Sequence, residues 1–128
     1  MRLLLDTHAL IWWLADDPAL SRPAHDAIAE AENTIHVSAA TAWAIATKHR
    51  LGKLPNVRDL VDDFSGALAR EAFLELPISV SHGEGAGSLP GIHRDPFDRM
   101  LIAQAKVEGL TLVSNERLFD AFGVDRLW

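Results

Sequence analysis

No cysteine occurs among the 128 residues, so disulfide scaffolds, thiol nucleophiles and thiolate zinc sites are excluded together. Positive charge is scarce as well: 12 Lys and Arg stand against 18 Asp and Glu, a net charge of −6 with six His neutral. That balance excludes a histone-like cationic coat, while a local basic patch or bound metal ions could still attract a polyanion. Long apolar runs are missing too. Leu3 to Leu5 and Ala9 to Ala15 are interrupted by Asp6 and His8 and follow no basic segment with a cleavage site. Neither a signal peptide nor a membrane span is expected, and a reducing cytoplasm is the compatible address. GxxxxGK, GxGxxG and GxSxG are all lacking. The six His show no repeated ligand spacing, with His82 and His93 apart in a loop region, which argues against zinc.

What remains is 48% apolar residues, enough for one domain, residues 1–128, with a real core. Leu3 to Leu5 reads as a short buried strand ended by Asp6 and Thr7, followed by a helix from His8 to Leu14. Ser21 is placed to cap a helix from Arg22 to about Ala31. Thr34 to Val37 reads as a strand, and Ser38 as the cap of a helix with Ala42, Ile45 and Ala46 inward and Lys48, His49 and Arg50 in its last turn. Gly52 suits the position after that helix and Pro55 blocks continuation. Residues 59–73 form one amphipathic helix or two short ones, and 74–80 a strand that Pro77 confines to a sheet edge or strand start. Ser81 to Pro90 is a short helix or a mobile loop. Asp95 caps a helix that starts at Pro96 and stops at Gly109. Leu110 to Val113 then forms a strand, Ser114-Asn115-Glu116 a turn, Arg117 to Phe122 a short helix, and 125–128 a terminal strand. Strands alternating with helices predict an α/β fold with a mostly parallel sheet and helices on both faces.

In such sheets ligands bind beyond the carboxyl ends of the strands. Asp6 sits there, and the topology can bring Asp98 and Glu116 to the same rim. Each has a plainer role available: Asp95 and Asp98 at a helix start, Glu116 in a solvated turn, Asp6 as a cap. Clustered carboxylates repel unless a cation or a shared proton intervenes, which points to a hard divalent ion, magnesium or else manganese, and to nuclease chemistry. From Asn33 to Arg58 there is no acid, yet Lys48, His49, Arg50, Lys53 and Arg58 occur, a stretch that could guide a phosphate backbone or be a dipole-matched helix end. Trp12, Trp13 and Trp43 fall within helices and read as core or interface residues ahead of base-stacking platforms. Because Trp12, Trp13 and Leu14 are consecutive on one helix, at least one large ring is expected at the surface and covered by a second copy.

Three blocks, Leu3-Leu4-Leu5-Asp6-Thr7-His8-Ala9-Leu10, Ser38 to Trp43 with Lys48 to Leu54 behind it, and His93-Arg94-Asp95-Pro96-Phe97-Asp98-Arg99, resemble the PIN domain and, more narrowly, VapC-like ribonuclease toxins of type II toxin–antitoxin pairs. The Leu112 to Glu116 block and the final Leu127-Trp128 extend the resemblance over nearly the whole chain. It implies a PIN-like α/β/α sandwich and a magnesium-dependent endoribonuclease acting on RNA, with a cognate antitoxin and a homodimer. Asp6 and Asp98 would be metal ligands. Glu116 would be the last acid, where the family usually has Asp, and Ser38, Ser114, Asn115, Lys48 and Arg99 would support site or substrate.

One position departs from this pattern. After Trp43 the family normally has Glu; this chain has Ala44, and a methyl group can neither bind magnesium nor position water. The chain therefore reads as an impaired nuclease, by deliberate inactivation or naturally. The alternatives are a PIN-fold module that binds antitoxin or RNA without turnover, and a receiver-like phosphoacceptor at Asp6, for which the Asp95 to Arg99 block has no role.

Overall fold

The computed structural model describes residues 1–54, 56–91 and 95–128; Pro55, His93 and Arg94 of the sequence argument lie outside them. Five strands, β1 (Arg2–Leu5), β2 (Thr34–Ser38), β3 (Leu74–Leu76), β4 (Thr111–Val113) and β5 (Arg126–Leu127), form one sheet in the order β3-β2-β1-β4-β5, and every pairing is parallel. The central strand is the three-leucine run. Side chains alternate across a strand, so Leu3 and Leu5 join one core with Ala9, Leu10, Ile35, Val37, Ile45 and Leu68, while Leu4 joins the other with Leu101, Ile102, Leu112 and Phe119. The first core is closed by α1 (Thr7–Leu14), α2 (Arg22–Ala29), α3 (Ala39–Arg50), α4 (Arg58–Asp62) and α5 (Phe64–Arg70). The second is closed by α7 (Pro96–Glu108) and the 3-10 helix Arg117–Phe122, and α6 (Val80–Ser88) packs on α7. The result is the expected α/β/α arrangement.

Caps set the boundaries. Ser21, Ser38 and Asp95 accept backbone N–H groups from Ala24, Ala40 and both Phe97 and Asp98. Gly109 ends α7 with φ 66°, a left-handed conformation that glycine adopts without a Cβ clash. The 59–73 segment is two helices because Asp63, with extended φ −150°, breaks the first and caps the second through Gly66 N–H.

Several expectations need correction. On α3 the inward residues are Ala40, Thr41, Ala44 and Ile45; Ala46 is exposed and Ala42 half-buried. Starting from the buried Ser38 rotates the inward stripe onto 41, 44 and 45. Strand β3 stops at Leu76, ahead of Pro77, and the helix α2 stops at Ala29. His82 is not in a loop: it lies in α6, 2% exposed. Its Nδ1 accepts from Ser79 N–H at 3.0 Å and its Nε2 meets Glu108 at 2.8 Å. Those bonds, with the burial of Ala86, hold a helix together that Gly83, Gly85 and Gly87 would disfavour. Trp12 and Trp13 are half-buried, Trp12 against His8 and Trp128, Trp13 against His25 and Phe73. The ring that reaches the surface is Trp43.

Candidate active site

Leu5 of β1 lies opposite Val37 of β2 and Val113 of β4. The next residue on each of these three adjacent strands is therefore Asp6, Ser38 and Ser114, in a row at the carboxyl rim with neighbouring strands about 4.8 Å apart. All three are buried, Asp6 at 7% exposure and the serines at 1% and 0%. Asp6 is fixed from both sides. Its N–H donates to Val113 O at 3.1 Å, and its Oδ1 accepts Ala9 N–H at 2.8 Å as the cap of α1. The Ser114 hydroxyl lies close enough to the same carboxylate to stabilise its ionised form, while its Oγ accepts Glu116 N–H at 2.9 Å. Ser114 thus couples the first acid to the last.

The Asp6 carboxyl is pushed above its ordinary range, first by burial. The Ser114 hydroxyl, the hydrogen bond from Ala9 and the charge of His8 pull it down, and the Glu116 carboxylate pushes it up again. A buried acid raised in this way costs the fold stability once ionised. Below the ordinary value of 3.8 both states hold the proton; as pH rises through the window up to the raised value, the unfolded chain releases it first and stability falls. Asp6→Asn keeps a good helix cap and removes the ionised group. It should stabilise the chain by roughly 1 kcal/mol at pH 7, as relief of a strained functional position commonly does. Thermal unfolding should show this advantage shrinking toward pH 4; an equal or larger advantage in acid would contradict the assignment.

Ala44 is 2% exposed on α3, which packs against both α1 and α7. Asp98 is half-buried in the first turn of α7, its N–H accepted by Asp95 at 3.1 Å. Glu116 is exposed and caps the 3-10 helix through Leu118 N–H at 3.3 Å. Asn115 is exposed and Lys48 half-buried in the last turn of α3. Arg99 donates to the carbonyls of Ala86 and Leu89, so it ties the end of α6 to α7. One participant escaped the sequence argument. Thr41 is 1% exposed, and its Oγ1 has no hydrogen-bond partner among the described residues. A buried orphan hydroxyl costs about 1–3 kcal/mol. It stands one helical turn before Ala44 on the same inward face, so its only sequence signal was that spacing.

The family model described as the PIN domain matches residues 3–124. The chain belongs to the PIN domain family. Among solved structures, its fold is similar to VapBC2 from Rickettsia felis bound to a promoter DNA fragment, with TM-score 0.70 at 16% identity over 100% of both chains. It is similar as well to DNA-bound VapBC from Salmonella typhimurium, with TM-score 0.68 at 18% identity over 98% of this chain and 96% of that one. FitAcB from Neisseria gonorrhoeae gives TM-score 0.67 at 18% identity over 97% and 95%. No curated protein sequence matches. PIN domains are nucleases and generally use divalent metals, which places the chain coarsely among phosphodiester hydrolases.

The donors of this PIN domain fit a hard cation in kind: Asp6, Glu116 and the Ser114 hydroxyl offer oxygen only, and the repulsion between Glu116 and Asp6 is the charge problem a divalent ion relieves. Among the described residues, no group of three or more His, Asp or Glu side chains is arranged to hold a metal ion. No described helix is long and apolar enough to cross a membrane.

Proposed function

We propose that this PIN domain is a cytoplasmic endoribonuclease toxin of a toxin–antitoxin pair, folded as a homodimer, whose catalysis Ala44 impairs. The observation that carries the reading is the register-aligned row of Asp6, Ser38 and Ser114, with buried Ala44 on the helix that Ser38 caps. The antitoxin reading draws on the resemblance of the motifs and on the complexes this fold is similar to.

In this reading Asp6 and Asp98 would hold the cation and Glu116 would assist through water. When bound, magnesium, or manganese in its place, supplies charge neutralisation at the phosphodiester and activation of water. The chain's own contribution is orientation. Ala9 N–H and Ser114 lock the Asp6 carboxylate, Ser114 sets the backbone that presents Glu116, and the Asp95 cap sets the helix start that presents Asp98. A glutamate at position 44 would enter on the inward face of α3 and give the Thr41 hydroxyl an acceptor.

A second reading, a PIN-fold module that captures antitoxin or RNA without turnover, is favoured by buried Ala44, whose methyl group offers no ligand to a metal. Ala44→Glu separates the two. Magnesium-dependent RNA cleavage by the variant, with discrete ends on sequencing, supports the nuclease; an inert variant that still copurifies with a small partner supports the binding module.

A further inference from the structure

Trp43 is 65% exposed, but its indole is not loose. Phe97 meets it edge-to-face, with centroids 5.0 Å apart and planes at 77°. Ala40, Ile78, Ala86 and Met100 complete a cleft of about 260 Å³ around the two rings. The cleft lies where α3 approaches the start of α7, the helices that carry Ala44 and Asp98. Along α3, Trp43, Ala46 and Arg50 are all exposed. Their spacing puts them on one stripe, with Trp43 and Arg50 about 10 Å apart along the axis.

Like Arg2 and Lys106, which bond only to backbone carbonyls, the cations of that helix end have no acidic partner among the described residues. Arg22, Arg58, Arg70 and Arg126 each pair with an aspartate. Lys48, Arg50 and Lys53 form no ion pair among the described residues, although the chain is acidic overall. A fixed aromatic ring followed by unpaired cations suits a single nucleic-acid strand, whose bases can stack while its phosphates meet positive charge. A duplex keeps its base faces stacked inside and could not use the ring. A second copy of the chain fits less well, because a two-fold contact centred on this stripe would turn Arg50 toward its own counterpart.

We propose that Trp43 is the stacking platform for a base of single-stranded RNA beside the acidic rim, with the strand's phosphates meeting Arg50. This rests on the ribonuclease reading and adds to it the subsite that receives a base. It also reverses the sequence expectation that Trp43 is a core or interface residue.

The test is fluorescence anisotropy of a short, labelled, mixed-sequence single-stranded RNA titrated with the full chain in EDTA, so that binding is read without cleavage. Sedimentation of the same proteins runs in parallel. Trp43→Ala should weaken binding about tenfold, within the range for loss of one base–aromatic stack, and Trp43→Phe should retain most of the affinity. Arg50→Gln should reduce the slope of log affinity against log salt by about 0.7, the value for one phosphate contact on a single strand. Wild-type binding that Trp43→Ala leaves unchanged overturns the platform and leaves the RNA reading standing. Absence of wild-type binding removes the RNA reading and this proposal with it. Trp43→Ala that converts a dimer to monomers at unchanged RNA affinity assigns the ring to a contact between copies and overturns the proposal.

Discussion

Ala44→Glu should raise magnesium-dependent RNA cleavage by about 10²-fold or more over the chain as it stands, the scale on which single charged or polar contributors to a reacting centre act. The expectation follows from position: Ala44 is 2% exposed on the helix that begins at the Ser38 rim. The same burial predicts a cost. Without a cation the new carboxylate is a buried charge, so the variant should unfold at lower temperature in EDTA than the parent. Added magnesium should restore much of that loss by mass action, since it binds the folded state alone. Asp6→Asn in the Ala44→Glu background should abolish both the cleavage and the magnesium-induced stabilisation. Cleavage that survives Asp6→Asn or EDTA would come from another site or a contaminant.

Phe119→Ala should cost about 3–5 kcal/mol, the usual range for deleting a buried phenyl ring, against a total stability of about 5–15 kcal/mol for a natural domain. Phe119 is 1% exposed in the core shared by Leu4, Leu101, Ile102 and Leu112. Its N–H also donates to Glu116 O at 3.2 Å, closing the turn that carries the last acid. The damage should therefore reach the site, loosening Glu116 before the chain unfolds. Urea denaturation should show a large drop in midpoint with little change in slope. The adjacent Leu118→Ala, 56% exposed, should stay within about 0.5 kcal/mol of the parent. Comparable losses for both would mean that this ring is not packed as described.

The parts of the fold legible in the sequence were those where local chemistry and tertiary demand agree. Leu3-Leu4-Leu5-Asp6 could be read as strand and rim because three fully buried leucines end abruptly in an acid. Asp95, Pro96 and Gly109 each carry their own backbone preference, and they bound α7 where expected. Helix α6 was ambiguous because three glycines argue against a helix that His82, bonded to Glu108 from a distant element, and buried Ala86 make favourable. The inward face of α3 could not be placed on Ala44 rather than Ala46, since a run of alanines has almost no hydrophobic contrast to set its phase. For the same reason the burial of Thr41 was invisible. Ser114 read as a turn residue; its link between Asp6 and Glu116 depends on β4 lying beside β1, a pairing across more than 100 residues of chain that no local pattern encodes. The exposure of Trp43 was likewise set by where α3 lands on the sheet, not by the residue's own preference.

The central claim is that position 44 belongs to the same acid site as Asp6. Magnesium titration calorimetry on the parent chain and on Ala44→Glu tests it most directly, because it reads the site without RNA, partner or turnover. The account predicts that Ala44→Glu binds magnesium at least about tenfold more tightly, since losing or disturbing a ligand commonly costs 10–100-fold in affinity. Equal affinities for the two proteins would contradict it.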